Sequence, residues 1–147
     1  MERSSNRSCP MKQGEDEMAE DLFEKLGPML SAVGEQAAQD LGGNPEGIYV
    51  YAEATESWYS SYVFRPEGNV LRFYSSSEEL GNLIWDLWKA GDVDKRWSVM
   101  EYSISGDQFD VQFHYPEEID VKEFDKDRRS NAIKRRFGNI PIVYPKG

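Results

Sequence analysis

The chain has 147 residues with one histidine, one cysteine and a formal net charge of −10. Such a length supports one domain that buries its own core, and those counts leave almost nothing for zinc, disulfide or histidine-cluster chemistry. No apolar run approaches the roughly 20 residues of a membrane span and the polar start lacks the hydrophobic stretch of a secretory signal, so the expected compartment is cytoplasmic.

The charge is unevenly distributed. Residues 1–43 carry nine acids and four bases, 44–121 fifteen and five, and 122–147 three and eight, for balances of −5, −10 and +5. An acidic body of this kind repels nucleic acid and anionic membranes, and it speeds encounter with a basic protein.

Residues 1–14 are polar and unpatterned and read as a disordered lead, leaving 15–147 as a single domain. A helix begins at Glu15, with an apolar stripe at Met18, Leu22, Leu26, Leu30, Val33 and Ala37. Gly27-Pro28 is expected to kink or split it near Glu24, because proline lacks a donor and crowds the preceding turn. Gly42-Gly43-Asn44-Pro45 ends it.

The period then changes from 3.6 to 2. Residues 47–55 and 58–65 alternate as two strands joined at Glu56-Ser57, Pro66–Asn69 is a turn, and 70–74 is a third strand. Ser75-Ser76-Ser77-Glu78-Glu79 offers overlapping capping boxes for a helix with Leu80, Leu83, Ile84 and Leu87 on one face. Residues 96–105 and 108–115 form a second hairpin around Gly106-Asp107, in which Phe109, Val111 and Phe113 alternate with Asp110, Gln112 and His114. A basic helix over 125–137, closed by Gly138, and an extended tail over 140–144 complete the chain. This order predicts an α+β domain: an antiparallel sheet of about five strands in two hairpins, with N-terminal, central and C-terminal helices packed on one face.

Few residues invite chemistry. His114 stands on the polar side of its strand with neither a cysteine nor a second histidine to join it, so a hydrogen-bonded surface histidine is the plainer reading than a base or ligand. The carboxylate runs lack an Asp-x-Asp-x-Asp-Gly loop and read as solvated faces. The serine triplet is accounted for by helix capping. No nucleophile elbow or phosphate-binding glycine loop is present. Trp85 and Trp88 divide evenly between core and exposed patch. Trp58, Tyr59 and Tyr62, beside acids at the first hairpin, have the composition of interface anchors. The arginine-rich run of the last helix is expected to pair with the protein's own acids rather than with nucleic acid.

One segment carries a family likeness. Asp127-Arg128-Arg129-x-x-Ala132-Ile133-x-x-x-Phe137-Gly138-x-x-Pro141-x-x-Tyr144-Pro145 resembles the C-terminal signature of the YezG-like immunity (antitoxin) family, long catalogued as a domain of unknown function. Tyr49-Val50-Tyr51-Ala52-Glu53 is similar to that family's aromatic strand after the first helix, and the resemblance extends over about residues 17–145. The polar lead and Gly27-Pro28 depart from the pattern. The resemblance implies a cytosolic α+β protein, encoded beside a polymorphic toxin, that binds the toxic domain; such toxins commonly attack nucleic acid as nucleases or deaminases. It brings no catalytic residues.

The combined expectation is an immunity protein, not an enzyme, that neutralises a cognate basic toxin by stoichiometric binding. No catalytic, cofactor or metal residue is assigned, and no nucleic-acid or membrane partner is expected. The expected partner-binding residues are Glu53, Glu56, Trp58, Tyr59 and Tyr62 at the first hairpin. Asp107, Asp110, Glu117 and Glu118 at the second complete the set, their carboxylates standing where phosphates would sit in a basic groove. An adaptor or effector-chaperone module predicts the same surface, while a carboxylate-bound divalent metal enzyme predicts stabilisation by Mg²⁺ or Ca²⁺. Oligomeric state and the toxin's identity are left open.

Overall fold

In the computed structural model, which describes residues 15–91, 93–120 and 122–144 and side chains from Leu26 onward, the first helix is continuous. Helix α1 spans Glu15–Asp40 with Pro28 inside it. Leu26, Leu30, Val33 and Ala37 bury one unbroken stripe across the proline while Pro28 itself faces solvent. That shared packing offsets the single backbone bond a proline removes, so the expected split does not occur. The expected disordered lead lies outside the described residues.

Strands β1 (Tyr49–Ala54), β2 (Tyr59–Glu67) and β3 (Val70–Ser75) form a meander, followed by helix α2 (Glu78–Lys89), a second hairpin β4 (Val99–Ser105) and β5 (Gln108–His114), helix α3 (Asp125–Phe137) and a short β6 (Ile142–Val143). Ser77 caps α2 through a bond from the Leu80 amide to its hydroxyl, 3.1 Å long, as the serine-rich stretch predicted. The sheet has six strands in the order β5-β4-β1-β2-β3-β6. Five are antiparallel neighbours in the expected manner, but β6 runs parallel to β3, with Leu71 opposite Ile142. The tail becomes a strand because α3 carries the chain back across the sheet, where the Leu71 amide donates to the Pro141 carbonyl at 2.8 Å.

The helices do not share one face. Every residue of β1 is buried. Val50, Ala52 and Ala54 join α1 and α2 in one core, while Tyr49 and Tyr51 join Ala132 and Ile133 of α3 in a second. The reason lies in the tyrosines, whose rings bury as apolar bodies while their hydroxyls need partners. That pattern reads as a half-polar strand in the sequence yet covers a second core in the fold. Among the described residues no helix is long and apolar enough to cross a membrane.

Tyr102 ties α1 to the sheet. Its hydroxyl donates to the Leu30 carbonyl at 2.8 Å and lies directly over Gly34, where a Cβ would collide with it. Gly34→Ala should therefore lower stability by about 1–3 kcal/mol, read as a lower urea midpoint at unchanged slope. Tyr102→Phe should relieve most of that loss in the double variant, whereas an equal loss in both backgrounds would refute the contact.

Candidate functional site

The first hairpin turns through Thr55–Trp58. The Thr55 hydroxyl accepts from the Ser57 and Trp58 amides at 3.1 and 3.2 Å, and the Thr55 amide donates to the Trp58 carbonyl at 2.8 Å. This local bonding replaces ladder pairing and leaves Trp58 43% exposed and Tyr59 37% exposed. Tyr59 is not loose. Its ring stacks on Trp85 at 5.1 Å, which stacks on Trp88 at 5.2 Å, with the Arg96 guanidinium 4.5 Å from the Trp88 ring. Gly81 allows this, because a Cβ there would stand 3.1 Å from the Tyr59 hydroxyl. The result is a rigid aromatic ledge beside the exposed Glu56, backed by the Trp88 Nε1–H donating to the Trp97 carbonyl at 2.8 Å.

On the opposite face, two carboxylates lie beneath α3. Glu53 is 3% exposed. Arg128 grips it with two bonds, Nε to Oε2 at 3.0 Å and Nη2 to Oε1 at 2.8 Å, and the Tyr51 hydroxyl donates to Oε2 at 2.6 Å. Arg128 Nη1 also donates to the Asp120 and Glu123 carbonyls, fastening the loop that leads into α3. Glu101 accepts from the Tyr49 hydroxyl at 2.7 Å and from His114 Nε2 at 2.6 Å, with Arg135 at 3.9 Å. Burial pulls the Glu101 carboxyl upward, but the bonds from His114 and Tyr49 outweigh it and hold the group below its ordinary value. Burial, reinforced by these carboxylates, pushes both tyrosine hydroxyls up, so they stay protonated donors. A cavity of ≈ 720 Å³ opens beside this network, walled by Glu101, Gln112, His114, Glu118, Arg128 and Asn131 among others.

The sequence-predicted partner residues are not brought together. Glu53 requires correction: it is an internal ion-pair member, with both oxygens occupied, and offers nothing to a partner. Tyr62 lies on the α3 face, half-buried, with the Arg129 guanidinium 4.0 Å from its ring, whereas Tyr59 lies on the α1/α2 face opposite Ala54. Glu56, Trp58, Asp107, Asp110, Glu117 and Glu118 are exposed. The two hairpin tips nonetheless point to opposite ends of the sheet, since Glu53 near the first turn pairs with Val99 at the far end of β4 from Gly106-Asp107. Glu117 and Glu118, in the short 3₁₀ turn Pro116–Glu118, return to the first hairpin's end. Glu118 also accepts from the Tyr115 amide at 2.8 Å.

The sequence reading missed Glu101, and it singled out Trp85 and Arg128 without the roles the fold gives them. Only the i, i+3 tryptophans signalled the ledge, and nothing local signals a pair 75 residues apart. The expectation that the basic helix meets the protein's own acids is met by Arg128–Glu53 and Arg135–Glu101. Among the described residues no group of three or more His, Cys, Asp or Glu side chains is placed to hold a metal ion. Neither a protein-family model nor a curated protein matches the chain.

Arg128→Met should cost about 3–5 kcal/mol by stranding a buried carboxylate, and Glu53→Leu in the same chain should restore most of it; denaturant melts of the two single variants and the double one measure this. The depressed Glu101 carboxyl contributes stability that is complete above its unfolded value near 4.5 and is lost as pH falls through the folded value. Glu101→Gln should flatten that acid limb of a Tm-versus-pH curve, and an unchanged limb would show that Glu101 does not set it.

Proposed function

We propose that this protein is an immunity-type inhibitor that binds and neutralises a basic toxin domain, with the aromatic ledge at the first hairpin as its anchor. The single observation that carries this reading is Tyr59, exposed yet stacked on Trp85 and through it on Trp88, next to the exposed Trp58 and Glu56. Rigid aromatic side chains lose little conformational freedom on binding, which is why they dominate interface energetics. The resemblance of the C-terminal segment to the YezG-like family supports the same conclusion.

Charge supports it as well. Three arginines of α3 are engaged by the sheet: Arg128 with Glu53, Arg129 over Tyr62, and the exposed Arg136 5.5 Å from the Tyr49 ring. With a formal net charge of −10, the surplus of acids would steer a positively charged partner. A toxin acting on DNA or RNA needs a basic groove, and carboxylates such as Glu56 and Glu117 would stand in it where phosphates sit. On this reading the protein works in the cytoplasm and performs no catalysis.

The test is co-expression with the toxin domain encoded beside it, followed by an activity assay with both proteins purified. Rescue of growth with stoichiometric loss of toxin activity is the expected result; rescue without loss of activity would instead indicate an adaptor or chaperone. Within the complex, Trp58→Ala with Tyr59→Ala should weaken Kd at least 30-fold, corresponding to about 2 kcal/mol or more. Glu56→Lys with Glu117→Lys should slow association about tenfold at low salt, with little change in dissociation. Surface-plasmon kinetics separates the two effects.

A further inference from the structure

The sheet ends at β5, and among the described residues no strand lies beyond it. Its backbone orientation follows from its neighbour. The Ile104 amide donates to the Ile48 carbonyl at 2.9 Å, and the Gly47 amide donates to the Ile104 carbonyl at 3.1 Å, so Ile104 bonds toward β1. Alternation then turns Ser103 and Ser105 toward β5, where they face Asp110 and Gln108. Phe109 and Val111, the residues between, direct their amides and carbonyls outward along the edge. Natural sheets usually blunt such an edge with proline, a bulge or a very short strand; this one is seven residues long.

The two faces of the edge differ. Asp110 and Gln112 lie on the α3 side, since Asp110 is opposite Ser103 and Ser103 is opposite Tyr49. Gln112 also lines the cavity, together with Glu118, Asp120 and Glu123. On the other side are Phe109, 39% exposed and stacked 5.2 Å from Tyr102, and the half-buried Val111. The stretch 107–120 holds five acids and neither lysine nor arginine.

We propose that the outer edge of β5 is a strand-addition site for an extended segment of a partner protein in which basic and apolar side chains alternate. Main-chain bonds to Phe109 and Val111 would supply affinity, and the period of two would supply specificity. Alternate lysines or arginines would then run along Asp110 and Gln112 toward the acids of the cavity wall, and the apolar side chains would cover Phe109 and Val111. A second copy of this chain is the less favourable occupant, because pairing would set two bodies of net charge −10 side by side. The proposal deepens the binding reading above and takes from it the basic character of the partner, but it is tested without the toxin.

The probe is a capped heptapeptide of alternating lysine and valine, titrated into the full-length ¹⁵N-labelled chain. The Phe109 and Val111 amide signals should shift saturably and gain exchange protection. Methylating the peptide's valine amides in one analogue and its lysine amides in another should weaken binding at least tenfold in one of the two, because only one set of amides faces β5. An alternating glutamate–valine peptide should also bind at least tenfold more weakly, as should the lysine peptide to Asp110→Lys. Equal binding by both methylated analogues, or immobile Phe109 and Val111 signals, would overturn the proposal. Protection of the same amides that rises with protein concentration alone would assign the edge to self-pairing and overturn it too. Val111→Pro removes one outward donor at an edge position that tolerates proline; toxin capture that survives both this variant and Asp110→Lys would sink the edge site and leave the binding reading standing.

Discussion

A carboxylate buried in the middle of a sheet is the constraint on which the α3 half of this molecule depends. Glu53 sits on β1, every residue of which is buried, and leaving it unpaired there would cost several kcal/mol. Arg128 answers it with two bonds and uses its remaining nitrogen to hold the loop before α3. The helix is thereby placed so that Ala132, Ile133 and Phe137 close over Tyr49, Tyr51 and Phe64. Only then does the chain emerge at Pro141 beside β3 and add its last strand. One ion pair thus orders a core, a helix and a sheet edge in sequence, and the apolar contacts provide the area that makes the arrangement stable.

The same pairing shapes the outside. A basic helix on an acidic chain would ordinarily make the molecule bipolar, with a patch for anions at one end. Here its four arginines sit near tyrosines and carboxylates of the sheet, with Arg128 held in a fork geometry that lysine does not reproduce. Lys134, Arg135 and Arg136 are exposed, Arg135 standing 3.9 Å from Glu101 and Arg136 5.5 Å from the Tyr49 ring.

Much of this fold can be read from local pattern. The capping serine of α2, the alternation of β5 and the bounds of α3 each follow from a few adjacent residues, and each appears where expected. The failures share a cause: they depend on contacts between distant parts of the chain. Glu53 looks like a hairpin-edge acid until Arg128, 75 positions later, is placed on it. Tyr49 and Tyr51 look like the wet side of a strand until α3 covers them. Pro28 looks like a break until the stripe on either side of it is seen to pack on one surface. Strand order decides the rest. Because β4 lies beside β1 and runs against it, two hairpins with similar acidic tips point apart, which no periodicity can reveal.

That separation bears directly on how a partner would be held. A compact groove covers a patch, and the patch available at one end of the sheet is the ledge of Trp58, Tyr59 and Trp85 with Glu56 beside it. Asp107, Asp110, Glu117 and Glu118 are instead spread from one end of β5 to the other, a strand about 23 Å long at the usual rise. Charges so spread complement extended chain, because each residue of a strand advances past its neighbour without needing a concave surface. Glu117 and Glu118 lie at the same end of the sheet as the first hairpin. A folded domain seated on the ledge with an extended arm along β5 would engage both features as one continuous interface. Two tethered contacts of this kind raise affinity beyond either alone, through the effective concentration the first confers on the second. If both proposals hold, the partner would combine a basic cleft with a basic strand-forming segment.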